Sequence, residues 1–393
     1  MIRLPAAVAS AATIVLALTL AAPAAVAAPA PIATAATDGP RSQAPLRIPA
    51  PTGARPVGAA VLHLVDRSRQ DPWVPTADGR ELMVTLHYPA ARPGDGRPLP
   101  YATRAEADLL ASGIDPSGQM RGEELSQAVT HARLGARPAH GRYPLVVLSP
   151  GFSVSRWTLT GLAEDLASRG YVVASVDHAY ESFGISVPGG RTLTCVACEE
   201  VESGRVSMEV VARTRAKDVS YLLDQLTGRH PAWKDAGMID ARRVGMAGHS
   251  IGGASAATAM AGDARVRAGV NMDGAFWGAL PQGGLGGRPF LMLGAEDTHL
   301  PGGIDASWGR TWPELGGWKR WVTVAGAEHF TFTDGPVIKD YFGVPKSPLS
   351  AVRSTRITRS YVAAFFDRHL RGVPQPLLDG PTAANPEVSF HAP

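Results

Sequence analysis

Cysteine is nearly absent from the 393-residue chain: there are two, Cys195 and Cys198, in TCVACEE. Two thiols cannot build a disulfide scaffold. A zinc site would need two more ligands, and none stands at a matching spacing. A redox pair would want a thioredoxin-like context, which is missing. A local disulfide closing a loop is what remains, and it suits an exported protein. Excess charge is lacking too, with 38 Lys and Arg against 35 Asp and Glu, a formal +3. No basic run is interleaved with aromatics, so nucleic acid is not expected as a partner. Beyond the N-terminus no segment reaches the ~18 uninterrupted apolar residues of a spanning helix. Dinucleotide-binding and phosphate-binding glycine loops are missing, as are internal repeats, so the chemistry is expected to need no cofactor and no metal.

What is present is a core-forming composition, 45% hydrophobic and 19% charged, typical of a globular protein. Arg3 precedes the apolar run AAVASAATIVLALTLAA, and small residues follow at Ala25-Val26-Ala27. That pattern predicts a secretory signal over residues 1–27 rather than a retained anchor, and hence a secreted mature protein with no stable membrane insertion. Residues 28–55 are rich in Pro and Ala and read as a flexible leader. The remainder, 56–393, reads as one domain.

Within it, GAAVLHLVD and RELMVTLHYPA predict an antiparallel strand pair. Residues 90–142 read as surface insertions with short helical pieces. From Tyr143 onward short apolar strands (YPLVVLS, YVVASVDH, RRVGMAG, VRAGVNMD, RPFLMLGAED, WKRWVTV) alternate with helical segments, among them LTGLAEDLASRG and the closing SAVRSTRITRSYVAAFFDRHLRG. Such alternation predicts an α/β fold, a mostly parallel sheet with helices on both faces. Reactive groups should then collect just past the carboxyl ends of strands.

One stretch meets that expectation directly. VGMAGHSIGGASAA holds Gly248-His249-Ser250-Ile251-Gly252, a G-x-S-x-G pattern between a strand and a small-residue helix. The pattern alone is weak, but a sharp strand-to-helix turn with Ser250 at its tip is the setting of a nucleophile elbow. A serine hydroxyl needs a base within hydrogen-bond reach. Of the chain's 11 histidines, His329 in VTVAGAEHF lies past a late strand with room for an acid before it. His249 is expected to point away from the site, His178 to line a pocket or serve structure, and His369 to pack or to meet solvent on the closing helix. Two carboxylates could orient the base: Asp273 in GVNMDGAF, 23 residues past Ser250, and Asp297 in LMLGAEDTH, 47 past it. Asp273 is the stronger candidate, because an acid ending so apolar a strand is costly without a partner. Asp297 sits in a polar turn and remains the alternative. The oxyanion donors are expected to be the amides of Ile251 and of Phe152, in the turn SPGF. Trp157, Phe276 and Trp277 could line a substrate pocket.

SPGF, LASRGYVVASVDH, GHSIGG and VNMDG together resemble the platelet-activating factor acetylhydrolase family of α/β hydrolases, over most of residues 57–370. The resemblance implies the α/β-hydrolase fold and an acid directly after the strand that follows the nucleophile helix, where Asp273 stands. SPGF and GHSIGG also resemble bacterial lipases and cutinases, whose acid lies one strand later, at Asp297. The expected function is therefore an exported serine carboxylic-ester hydrolase acting through an acyl-enzyme on a small-molecule or lipid ester, and the acetylhydrolase resemblance implies a short acyl chain. A lipase or polyester hydrolase is the alternative, and a non-catalytic secreted binder on a hydrolase scaffold a further one. No obligate protein partner is inferred.

Overall fold

Nine strands share one sheet in a computed structural model that describes residues 44–345 and 347–393. They are β1 (Val57–Asp66), β2 (Arg80–Pro89), β3 (Tyr143–Ser149), β4 (Val172–His178), β5 (Ile239–His249), β6 (Val266–Met272), β7 (Phe290–Ala295), β8 (Lys319–Val324) and β9 (Val388–His391). Their spatial order is β9-β8-β7-β6-β5-β3-β4-β2-β1, and two two-residue strands complete an eleven-stranded sheet beyond β1. Strands β3 to β8 run parallel. β1 pairs antiparallel with β2, from Val57 opposite Pro89 to Asp66 opposite Arg80. β9, which the sequence reading does not contain, adds antiparallel to β8.

Five longer helices matter for the site: α1 (Arg104–Ile114), α2 (Thr160–Ser168), α3 (Met208–Thr227), α4 (Ile251–Gly262) and α5 (Ala351–Arg371). Successive strand side chains point to opposite faces, and the buried residues divide accordingly. Val146 and Leu148 of β3, with Leu291 and Leu293 of β7, pack against Leu162 of α2 and Phe365 and Phe366 of α5. Leu145 and Val147, with Phe290 and Met292, pack against Leu222 of α3 and Met260 of α4. Both faces of the parallel strands are covered, which is why those strands read as unbroken apolar runs rather than alternating ones.

Two boundaries differ from the sequence reading. Residues 46–55 are not a flexible leader: Leu46 and Ile48 are buried, the Ile48 amide donates to the Val129 carbonyl, and the Thr52 hydroxyl donates to Asp165. Composition misleads here because a proline-rich strap needs few donors of its own and is anchored by two apolar side chains and one buried carboxylate. Residues 90–142 are also more than surface. α1 opens with Thr103 and Glu106 capping each other's backbone, and Tyr101, Leu110 and Leu125 share a core with Trp157, Ile338 and Phe342. The expected signal, residues 1–27, and the leader up to residue 43 lie outside the described residues. No helix among the described residues is long and apolar enough to cross a membrane.

Candidate active site

Every non-glycine residue with positive φ among the described residues lies just past the carboxyl end of one of four adjacent strands: Ser153 after β3, Tyr180 after β4, Ser250 after β5 and Asp273 after β6. Such conformations cost about 1–3 kcal/mol each and persist only where the surroundings impose them. Ser250, at φ 55° and ψ −125°, stands immediately before α4. The glycines around it are dictated by contact. A Cβ on Gly248 would lie 2.1 Å from the Gly252 carbonyl carbon, one on Gly252 2.1 Å from the Ser149 oxygen, and one on Gly253 2.0 Å from Asn271 Oδ1.

Register brings the acid alongside. Met272 of β6 pairs with His249 of β5, so the next residues, Asp273 and Ser250, leave the sheet side by side, with the Ser250 amide donating to the Met272 carbonyl at 2.8 Å. Asn271, buried in an apolar strand, staples the turn: its amide donates to the Gly274 carbonyl at 2.7 Å and its oxygen accepts from the Gly274 amide at 2.8 Å. Asp273 Oδ2 accepts from His329 Nδ1 at 2.6 Å. Its Oδ1 accepts from the Ala295 amide at 2.6 Å and from His299 Nδ1 at 2.8 Å. Burial would raise the Asp273 pKa, but the hydrogen bonds from His299 and His329 prevail and hold it well below the usual carboxylate range. His329 itself is 47% exposed, placing a histidine oriented by a buried carboxylate at the surface. The Ser250 hydroxyl makes no hydrogen bond with the described residues, a looseness common where no substrate is bound.

His249 does not point away from this site. Its Nε2 lies 2.7 Å from the His329 carbonyl oxygen and must donate to it, and the two rings are 4.7 Å apart. Burial, with His329 beside it, brings the His249 pKa down to about 3, so this ring is neutral. A Cβ on Gly151 would sit 2.9 Å from His249 Nδ1, so the glycine lets the Pro150–Phe152 turn approach the ring.

That turn rests on a buried ionic cluster. Arg215 Nη1 donates to the Pro150 carbonyl at 2.5 Å and Nε to Glu181 at 2.7 Å. Arg80 joins Asp71, Glu181 and Asp218 at 3.0, 2.6 and 2.9 Å. Within the cluster, Asp218 accepts from His178 Nδ1 at 2.7 Å, and His178 Nε2 lies 3.0 Å from Ser149 Oγ. This second serine–histidine–aspartate chain is sealed from solvent, each member no more than 2% exposed. Burial and the Arg215 charge lower the His178 pKa. His178 is thus structural, one strand position behind the turn that carries Phe152. The Phe152 amide and the Ile251 amide, the latter in the unpaired first turn of α4, donate to no backbone carbonyl among the described residues.

Known proteins are similar to this chain in sequence and fold. The family described as platelet-activating factor acetylhydrolase, isoform II, matches residues 121–190, which contain β3, the Pro150–Phe152 turn, α2 and β4. A probable 1-alkyl-2-acetylglycerophosphocholine esterase of Arthroderma benhamiae is 28% identical over 87% of this chain and 93% of its own. The platelet-activating factor acetylhydrolase of Canis lupus familiaris is 24% identical over 58% of this chain and 57% of its own. A solved structure, a ferulic acid esterase from Streptomyces cinnamoneus, superposes with a TM-score of 0.79 at 48% identity, over 89% of this chain and all of that one. The chain is similar to the platelet-activating factor acetylhydrolase family and has the α/β-hydrolase fold. It is a carboxylic-ester hydrolase.

Other sequence-derived positions fall differently in this hydrolase. Asp297 is exposed and accepts from the Thr298 hydroxyl at 3.1 Å. It does not bond His329, because the short helix Glu296–His299 turns His299, not Asp297, toward Asp273. Of the three aromatics, Phe276 and Trp277 line one cavity and Trp157 another. Trp157 packs edge-on to Tyr101 at 5.1 Å, drawn to the partner that the segment before α1 supplies. There it lines a cavity of about 230 Å³ with His87 and Ser175. Phe276 is buried against Phe290. Trp277 is 51% exposed and, with Phe276, Ala254 and Leu280, lines a cavity of about 250 Å³ beside α4. Cys195 and Cys198 form a disulfide, and His369 packs against Trp318 and Phe365. Among the described residues no group of three or more His, Cys, Asp or Glu side chains is arranged to hold a metal ion.

Proposed function

We propose that this hydrolase is an exported serine esterase that works through an acyl-enzyme on esters of small acids. The observation that carries the reading is the 2.6 Å bond between Asp273 and His329, on the strand end next to the strained Ser250. In this reading Ser250 Oγ attacks the ester carbonyl carbon as its proton passes to His329 Nε2. Asp273 holds the Nδ1–H and stabilises the imidazolium. The amides of Phe152 and Ile251 receive the oxyanion. The alcohol leaves with the proton from His329, and water, deprotonated by the same ring, releases the acid and restores Ser250.

The acyl group is proposed to be short, in keeping with the acetyl ester named for the Arthroderma relative. A second reading, esters of ferulic acid, is favoured by the 48% identity to the Streptomyces esterase. Export rests on the signal pattern of residues 1–27 and is supported by the Cys195–Cys198 disulfide, a bond of oxidising compartments. The test is hydrolysis of p-nitrophenyl esters from acetyl to palmitoyl, and of methyl ferulate, with Ser250→Ala as the blank. A steep fall beyond butyryl with methyl ferulate inert supports the short-acyl reading, and turnover of methyl ferulate supports the second. No activity above the blank on any ester contradicts both.

A further inference from the structure

Asp273 has two histidine partners, and only one of them is exposed. His299 is 2% exposed, too deep to meet a substrate, yet it is fixed more tightly than His329. Its Nδ1 lies 2.8 Å from Asp273 Oδ1 and its Nε2 3.1 Å from Asp305 Oδ2. Asp305 is itself held by the amide and hydroxyl of Ser307 at 2.7 and 2.8 Å. The ring stacks on Trp308 at 4.1 Å and 29°, and the Trp321 indole N–H donates to the His299 carbonyl at 2.7 Å. A carboxylate oxygen faces each ring nitrogen. Carboxylates only accept, so both nitrogens donate and the ring is an imidazolium. Burial opposes that charge, but the bonds to Asp273 and Asp305 outweigh it and raise the His299 pKa to about 9.

We propose that His299 is a positioning residue: it pins Asp273 from the side away from His329 and shares the carboxylate's charge, so that less of that charge acts on the His329 ring. This rests on the roles given to Asp273 and His329 above. A lone carboxylate would stabilise the His329 imidazolium and raise the pH needed to free the base. An Asp273–His299 ion pair does so far less. The other groups around His329 are compensated or uncharged: His249 is neutral, and Glu328 is tied to Lys339 at 2.9 Å and Ser347 at 2.7 Å. Around His299 the remaining close partners are the uncharged Trp308 and Trp321.

The experiment is the pH dependence of kcat/KM on p-nitrophenyl acetate for the whole protein and for His299→Asn, whose amide can donate where Nδ1 stands but carries no charge. Asp305→Asn, which leaves His299 with one carboxylate, is measured beside it and reports if His299→Asn does not fold. The acid limb is expected to move up by about one pH unit in His299→Asn and in the same direction, by less, in Asp305→Asn. An acid limb that stays in place or moves down, or a folded His299→Asn inactive at every pH, overturns the proposal. Ser250→Ala and His329→Gln report on the underlying triad: wild-type rates in either sink that assignment, whatever the limb does.

Discussion

Replacing Asp273 by Asn separates the two candidate acids. The carboxylate is 1% exposed and receives three donors, from Ala295, His299 and His329. An asparagine has one acceptor oxygen. With that oxygen kept toward the Ala295 and His299 donors, its NH₂ faces His329 Nδ1, which must then accept. The ring proton moves to Nε2, and the base offers Ser250 a donor where it needs a lone pair. A wrong tautomer of this kind lowers kcat by about 10⁴-fold. The change also removes a charge from two charge-assisted hydrogen bonds, worth about 1.5–3 kcal/mol each before the rest of the site relaxes, so the midpoint of urea unfolding should fall as well. Asp297→Asn touches an exposed side chain bonded only to its neighbour Thr298. It should leave kcat and stability within about 0.5 kcal/mol of wild type. The assay is steady-state hydrolysis of p-nitrophenyl acetate, with circular dichroism to show that each variant folds. An Asp273→Asn enzyme that keeps about a tenth or more of wild-type kcat, or an Asp297→Asn enzyme that loses as much as Asp273→Asn, would refute the reasoning.

Other consequences follow from the same contacts. Gly252→Ala puts a methyl group 2.1 Å from the Ser149 carbonyl oxygen, which forces α4 and the Pro150–Phe152 turn apart; a displacement of about 1 Å should cost about 10²-fold in kcat, with KM changing less. Stability should depend on pH through His299. Its folded pKa of about 9 lies above the ordinary 6.5, so its contribution is complete below about pH 6.5 and is lost as pH rises through about 9. Tm should fall across that window in the wild type and fall less in His299→Asn, as differential scanning fluorimetry would show.

Much of the sheet was legible because its parallel strands are buried on both faces and stand out as apolar runs between turn residues. Ser250, Asp273 and His329 were legible for a related reason: each directly follows such a run or its turn, so position along the chain converts to position at the sheet edge. What the sequence did not disclose depends on contacts between distant segments. His299 lies two residues past Asp297, in a polar turn where the carboxylate drew attention, and only the short helix decides which side chain faces inward. His249 gave no sign of its bond to the His329 backbone, because main-chain acceptors leave no residue-type signature. Trp157 follows a strand as a pocket residue would, but Tyr101, some fifty residues earlier, captures it. The Arg80–Glu181–Arg215–Asp218 cluster could have been suspected at one point, since Arg215 and Asp218 fall on the face of α3 shared by Val211 and Leu222. A charge placed in an apolar stripe needs a buried partner. Residues 46–55 read as a leader because proline content signals irregular backbone, and irregular backbone can still be packed.

The central claim is that Ser250 carries the acyl group. The most direct measurement is intact-protein mass spectrometry of the enzyme quenched in acid within milliseconds of mixing with excess p-nitrophenyl acetate, followed by peptide mapping. The account predicts a single acetyl adduct on the peptide containing Ser250, absent in Ser250→Ala and more persistent in His329→Gln if that variant acylates at all. An adduct on another residue, or turnover at wild-type rate by Ser250→Ala, would contradict it.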